Sequence, residues 1–447
     1  MHPRTRTIVT WLFVLAFFAT APVLIMFTSG YRYNWKRQRV QKTGLIQAET
    51  VPTGAKVFLD GSLQRKTTPA SYTRLLPDDY LVRIEKKGYL PWEKTLEVKS
   101  GQTTFATNIV LYRDALARLV LERRAGTAAW SPDGTDVALL TDDGDWKELV
   151  ALADGKGPVL LARFARDAYA DESLAWSPDG TAVLFTANAG GATHAMRFLP
   201  SAPNEALSVH ENFPKGPLAV HWNAGGASLM VVSTLGAFTV DSATGAVSPV
   251  RLEAGIKDAV DAGRSTYVLR AERKNATASV MLERLSGESS ETVLQLAAGD
   301  YRFLPGDDRK LLVAEKRKRR IILVDAASGA SDAFDATGAV WEPKGRRLLL
   351  WNDFEIYTVD PADGSRDLIT RLGTPIASCA WSPAGEAIIF STANGIAAAE
   401  LDDRDHRNVF DLIRFTDVGP FAVDANAGML RFIGSAGTKS GVYERDL

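Results

Sequence analysis

The densest run of chemistry-bearing side chains is "EKRKRR", Glu315 to Arg320. Its cations Lys316, Arg317, Lys318, Arg319 and Arg320 suit contact with an anion such as a phospholipid headgroup, an acidic polysaccharide or an acidic protein. A solvated hairpin tip is the plainer expectation, because charge runs ordinarily face water. "TDDGD" offers Asp142, Asp143 and Asp145 as oxygen ligands for calcium. It lacks the alternating ligand pattern and distal Glu of an EF-hand loop, so a plain turn is expected. Asn275-Ala276-Thr277 has the form of a glycosylation sequon.

Catalytic chemistry finds little to work with. The chain has no G-x-S-x-G elbow, no H-E-x-x-H and no P-loop. Its five histidines are scattered, and His221, next to Trp222 in an apolar stretch, reads as a packed residue and not as a base. Asp402-Asp403 falls in a turn, where acidic pairs are ordinary. Cys379 alternates with Trp381 and reads as packing; as the single cysteine it has no disulfide partner within the chain. With 52 basic and 53 acidic residues, no global field favours nucleic acid. No catalytic residue, metal or cofactor is expected, and the chain reads as non-enzymatic.

The elements that position these residues are announced by a repeat. "AAWSPDGTDVALL" (from Ala128) returns as "LAWSPDGTAVLF" (from Leu174), then as "AVHWNAGGASLMVV", "AVWEPKGRRLLLW" and "CAWSPAGEAIIF". Pro132 and Pro178 pre-set φ for the second position of a type I turn, while the Asp that follows can bond the local backbone. Gly134 and Gly180 supply the left-handed conformation that closes it. Trp130, Trp176, Trp222, Trp341 and Trp381 end the preceding strand and can wedge between neighbouring sheets. An apolar strand, a loop, a third strand, a polar turn such as "VDSATG" and a fourth strand follow. Four strands per ~40 residues indicate a β-propeller blade.

Looser copies from Asp258, Tyr301 and Phe421 bring the tally to about eight blades, or seven if one degenerate unit is misread. The last unit holds only three strands. The orphan strand 116–122 is expected to complete it and close the ring, leaving fewer exposed edges. The repeats resemble TolB-type, WD40-like propeller repeats, which implies the fold and leaves the function open. By strand order, the uniform "WSPDG" and "VDxxxG" turns share one face. The variable loops, "EKRKRR" and "TDDGD" among them, share the other, where binding is expected.

Upstream, residues 8–28 are uncharged for long enough to span a ~30 Å hydrocarbon core. The run continues past the small-residue site Ala19-Thr20-Ala21, so an uncleaved anchor is expected rather than a signal peptide. Residues 1–7 are then a cytoplasmic N-terminus and 29–43 a juxtamembrane linker. Residues 44–113 read as six short strands, with turns at Asp60-Gly61 and a closing hairpin at Ser100-Gly101. Pro52-Thr53-Gly54-Ala55, "VFLDG", Thr68-Pro69, Gly88-Tyr89 and "IVLY" resemble the PEGA domain. Thr53 replaces its name-giving Glu, and Asp78-Asp79 replaces a usual Gly. The resemblance implies a small surface β-sandwich without catalytic residues.

The organisation read from the sequence is all-β with one N-terminal transmembrane helix. A sandwich (44–113) precedes a propeller of four-stranded blades (114–447). The expected role is an envelope scaffold that binds a protein or glycan and contacts the lipid bilayer through residues 8–28. The alternatives are a propeller hydrolase or lyase acting on envelope polymers and a structural surface component. The bulk of the chain is placed outside the cytoplasm on the strength of the two resemblances. Arg32, Lys36, Arg37, Arg39 and Lys42 argue for the opposite orientation by the positive-inside rule.

Overall fold

The computed structural model describes residues 3–447 except 154, 214, 275–276, 307–309, 344 and 425. The sequon at Asn275 lies outside the described residues. Two compact units form: Met1–Ala115 with Glu400–Phe410, and Leu116–Ala399 with Asp411–Leu447.

The first unit begins with the helix Pro3–Thr28. Its stretch Val9–Thr28 is long and apolar enough to cross a membrane. The Thr20 and Thr28 hydroxyls donate to the carbonyls of Ala16 and Leu24, 2.8 and 2.9 Å away, so neither is left unpaired in an apolar segment. Arg32 lies over the Phe27 ring, 3.4 Å from its centroid, and donates to the Phe27 carbonyl at the helix end. The stretch expected as a linker is instead a hairpin, Tyr31–Asn34 paired with Arg39–Lys42, whose alternating residues suit a strand pair.

The sandwich has seven strands where six were expected, in sheets of three and four. Asp60 and Gly61 both take positive φ at the expected turn. The hairpin expected at Ser100-Gly101 does not form. Trp92–Glu97 belongs to the four-stranded sheet, whereas Thr103–Val110 crosses to the other and pairs parallel with Gly44–Val51. Both strands alternate, and burying one face of each on opposite sheets seals the core around Ile46, Val57, Ile84, Trp92 and Leu96. Residues 400–410 complete this unit. Lys94, fully buried, lies 2.5 Å from Glu400 Oε1 and donates to the Asp402 carbonyl at 2.7 Å, while the Trp92 indole donates to Glu400 Oε2.

The second unit is an eight-bladed propeller. Seven blades are four-stranded sheets of consecutive strands, and the eighth adds Arg118–Glu122 beside Lys439–Asp446. We number blades 1–8 in chain order, with strands a to d within each. The a strands touch one another around the centre, and Asp417–Asp424 of blade 8 meets Ala125–Trp130 of blade 1. Each sheet is covered on both faces, so the b strands are apolar without alternation; Val137–Thr141 is buried throughout. The core therefore lies between blades, as where Leu140 and Leu149 of blade 1 pack on Trp176 and Phe185 of blade 2. The same packing closes the ring, with Val137 and Leu139 against Ile433 and Val442.

The repeated turn explains its own residues. Gly134 N donates to the Ser131 carbonyl at 2.9 Å, and the Asp133 carboxylate accepts from Ser131 Oγ and Thr135 N. Gly134 has φ +74°, and a Cβ there would sit 2.7 Å from the Val423 carbonyl. The Trp residues are stitches between blades. The indoles of Trp176, Trp222 and Trp381 donate to the carbonyls of Ala129, Ala175 and Val340, each one residue before the Trp of the preceding blade. Trp130 reaches Pro420 in the same way and joins blade 1 to blade 8.

Candidate functional site

A cleft of about 1140 Å³ opens on the variable-loop face of the propeller. Its walls are residues in or just before the a strands of blades 2–5, among them Ser173, Leu218, Lys257 and Tyr301, together with the b–c hairpins of blades 2 and 5. Each a strand has a ladder partner on one side only, because it is the innermost strand of its sheet.

Asp258 organises the cleft. It is 1% exposed and binds three blades together: Oδ1 lies 2.5 Å from His221 Nε2 of blade 3, and Oδ2 accepts from Phe303 N of blade 5 at 2.7 Å. Oδ1 also accepts from Ala259 N in its own blade. The sequence reading of His221 as a packed residue omitted this partner. His221 and Asp258 lie on the a strands of successive blades, so superposing the repeat units would have brought them close. His194 and His210, which look scattered in the sequence, meet at a tilt with ring centroids 4.3 Å apart in blade 2. Burial and the neighbouring His210 hold the His194 imidazole below its ordinary pKa.

The basic run divides by position. Glu315 ends one strand and Arg320 begins the next, so Lys316–Arg319 form the hairpin tip of blade 5. Lys316, Arg317 and Lys318 line the cleft. Arg319 instead pairs with Asp353 of blade 6, and Arg320 turns back onto the buried Glu315. Burial alone would raise the Glu315 carboxyl, but bonds and charge from Arg320 and Lys318 outweigh it and hold its pKa low. Burial and the Glu315 charge push the Tyr301 hydroxyl up.

The acidic turn lies elsewhere on this face, in the b–c hairpin of blade 1. Asp143 pairs with Arg163 at 2.7 Å and Asp142 with Arg166 at 3.4 Å, while Asp145 is exposed beside them. The arginines engage one carboxylate oxygen each of Asp142 and Asp143. Among the described residues no group of three or more His, Cys, Asp or Glu is placed to hold a metal. Cys379 is buried, and desolvation raises its thiol pKa well above the ordinary value, which disfavours the reactive thiolate.

Residues 43–112 match the PEGA domain model. This segment is similar to the PEGA domain over that whole span. Of the departures noted above, Thr53 lies in a turn and Asp79 opens a strand, so the fold tolerates both. No curated protein matches the chain by sequence. Among solved structures, the C-terminal WD40 domain of Sif2 aligns over 74% of this chain and 99% of its own, at 12% identity and a TM-score of 0.50. A eukaryotic initiation factor structure aligns over 73% and 86%, at 13% identity and a TM-score of 0.49. The dihydro-heme d1 dehydrogenase NirN aligns over 71% and 74%, at 13% identity and a TM-score of 0.47. The Sif2 likeness shows a WD40-type propeller fold and carries no chemistry with it.

Proposed function

We propose that the protein is a membrane-tethered, non-catalytic scaffold that binds a partner protein through the variable-loop face of its propeller. The observation that carries this reading is the cleft. It is concave, it lies where variable loops meet a rigid ring, and its central carboxylate is spent on holding blades together. An enzymatic reading built on His221 would need a nucleophile beside it. Among the described residues no hydroxyl or thiol is hydrogen-bonded to His221, and its one partner is Asp258. The apolar helix supports tethering, and the PEGA domain supports placing the propeller on the outer side of the membrane.

The test is site-specific photocrosslinking in intact cells. A photoreactive residue replaces Arg273, exposed on the blade 4 hairpin of the loop face, or Ala243, exposed in a turn of the opposite face. The reading predicts a discrete heavier adduct from position 273 and none from 243. Adducts from 243 alone, or from neither, would refute it.

A further inference from the structure

Five basic and four acidic residues line the cleft, and its field depends on which of them are already engaged. Asp258 is bonded to His221, Ala259 N and Phe303 N. Glu315 is matched by Arg320, which stands outside the lining, and by Lys318 at 3.1 Å. Asp171 accepts from the Asn188 amide. The exposed cations Lys257, Arg302, Lys316 and Arg317 form no ion pair among the described residues. They come from blades 4 and 5, where exposed Asp300 is the one lining carboxylate left to offset them, so that side of the cleft keeps a net positive charge.

We infer that the cleft binds an extended acidic peptide segment of a partner protein, with carboxylates held by Lys257, Arg302, Lys316 and Arg317. This rests on the scaffold reading above and adds the ligand chemistry to it. Three features select a peptide over other polyanions. The a strands along the cleft have no ladder partner on their inner side, so the backbone groups there that are not already bonded, as Phe303 N, Ala259 N and the Ala175 carbonyl are, can meet an extended chain. Exposed Leu218 and half-buried Val220 lie among the charges and suit the uncharged residues of such a chain. Asp171 and Asp300 also line the cleft and would repel a polymer carrying charge at every unit, such as a polyphosphate. A glycan would seek exposed aromatic faces, and the one aromatic in the lining, Tyr301, is buried.

The test uses the full chain in detergent micelles and fluorescence anisotropy. The probes are a labelled peptide of alternating glutamate and valine and its glutamine counterpart, with polyphosphate and alginate as competitors. The glutamate peptide should bind at least about tenfold more tightly than the glutamine one, a difference of about 1.4 kcal/mol. High salt should weaken it. The double charge reversal Lys316→Glu/Arg317→Glu should cost a similar factor. Both side chains are exposed, so the fold should survive, as far-UV circular dichroism would show. Lys439→Glu, on another hairpin of the same face, should leave binding unchanged. Equal binding of the two peptides, indifference to the charge reversal, binding of only polyphosphate or alginate, or no binding at all would each overturn the inference. Crosslinking from position 273 would survive any of these outcomes, so the scaffold reading falls or stands separately.

Discussion

Asp258→Ala is the perturbation whose cost follows most directly from the geometry. The substitution removes the acceptors of Phe303 N and Ala259 N, at 2.7 and 2.9 Å, and both donors lie in buried residues. An orphaned buried donor costs about 1–3 kcal/mol, so the pair should cost about 2–5 kcal/mol once partial relaxation is allowed. His221 also loses its partner but is 34% exposed, so water takes over much of that bond. The total is a large share of the ~5–15 kcal/mol that holds a typical domain together. Asp258→Asn keeps one acceptor oxygen and should recover about 1–2 kcal/mol of the loss. Urea denaturation gives the free energies, and hydrogen exchange should show faster opening at residues 301–304 and 256–262. A cost for the alanine variant within about 0.5 kcal/mol of zero, the range of ordinary surface changes, would refute the claim that this carboxylate joins three blades.

Further outcomes follow from the same packing. Trp176→Phe should cost about 2–3 kcal/mol by losing both ring volume and the bond to Ala129. Trp341→Phe should cost distinctly less, because the buried Trp341 indole N–H has no hydrogen-bond partner among the described residues; thermal midpoints would check the contrast. Lys94→Met should destabilise the sandwich unit by about 3–5 kcal/mol through the unpaired Glu400 it leaves, and adding Glu400→Gln should recover part of that in urea melts. The Asp325 carboxyl is held well below its usual range, first by Ser328 N–H and hydroxyl bonds and then by Lys310; Asp133 and Asp179 are lowered in their own turns. Their stabilisation is present above the unfolded carboxyl pKa of about 4 and is lost as pH falls through the folded values. The thermal midpoint should therefore drop on acidification below about pH 4, and Asp325→Asn should flatten that slope.

The propeller was legible because its turn is local. In "WSPDG" each residue type answers to its own backbone angle or to a bond within a few residues, so the pattern survives repetition. The partition of the sandwich was not legible. Trp92–Glu97 and Thr103–Val110 alternate as a hairpin would, and only the distant Gly44–Val51 draws the second strand into a parallel pair. Lys94 reads as a surface residue until Glu400 and Asp402, some three hundred positions away, are brought to it. The cleft lay between these extremes. "EKRKRR" stood out as a charge run, but what separates Lys316 and Arg317 from Arg319 and Arg320 is which carboxylate folding places beside each. Lys257 and Arg302 carry no local signal at all. They matter because the ring sets the a strands of blades 4 and 5 side by side.

The side of the membrane on which the propeller stands tests the account most directly, since every proposed partner depends on it. A tag placed after Leu447 in the full chain, challenged by external protease in intact cells or spheroplasts, reads it out. The account predicts that the tag is digested from outside, with the basic residues after the helix serving only as an interfacial anchor. A tag protected until the membrane is broken would place the propeller in the cytoplasm, as the Lys and Arg count suggests, and would contradict the outward-facing scaffold.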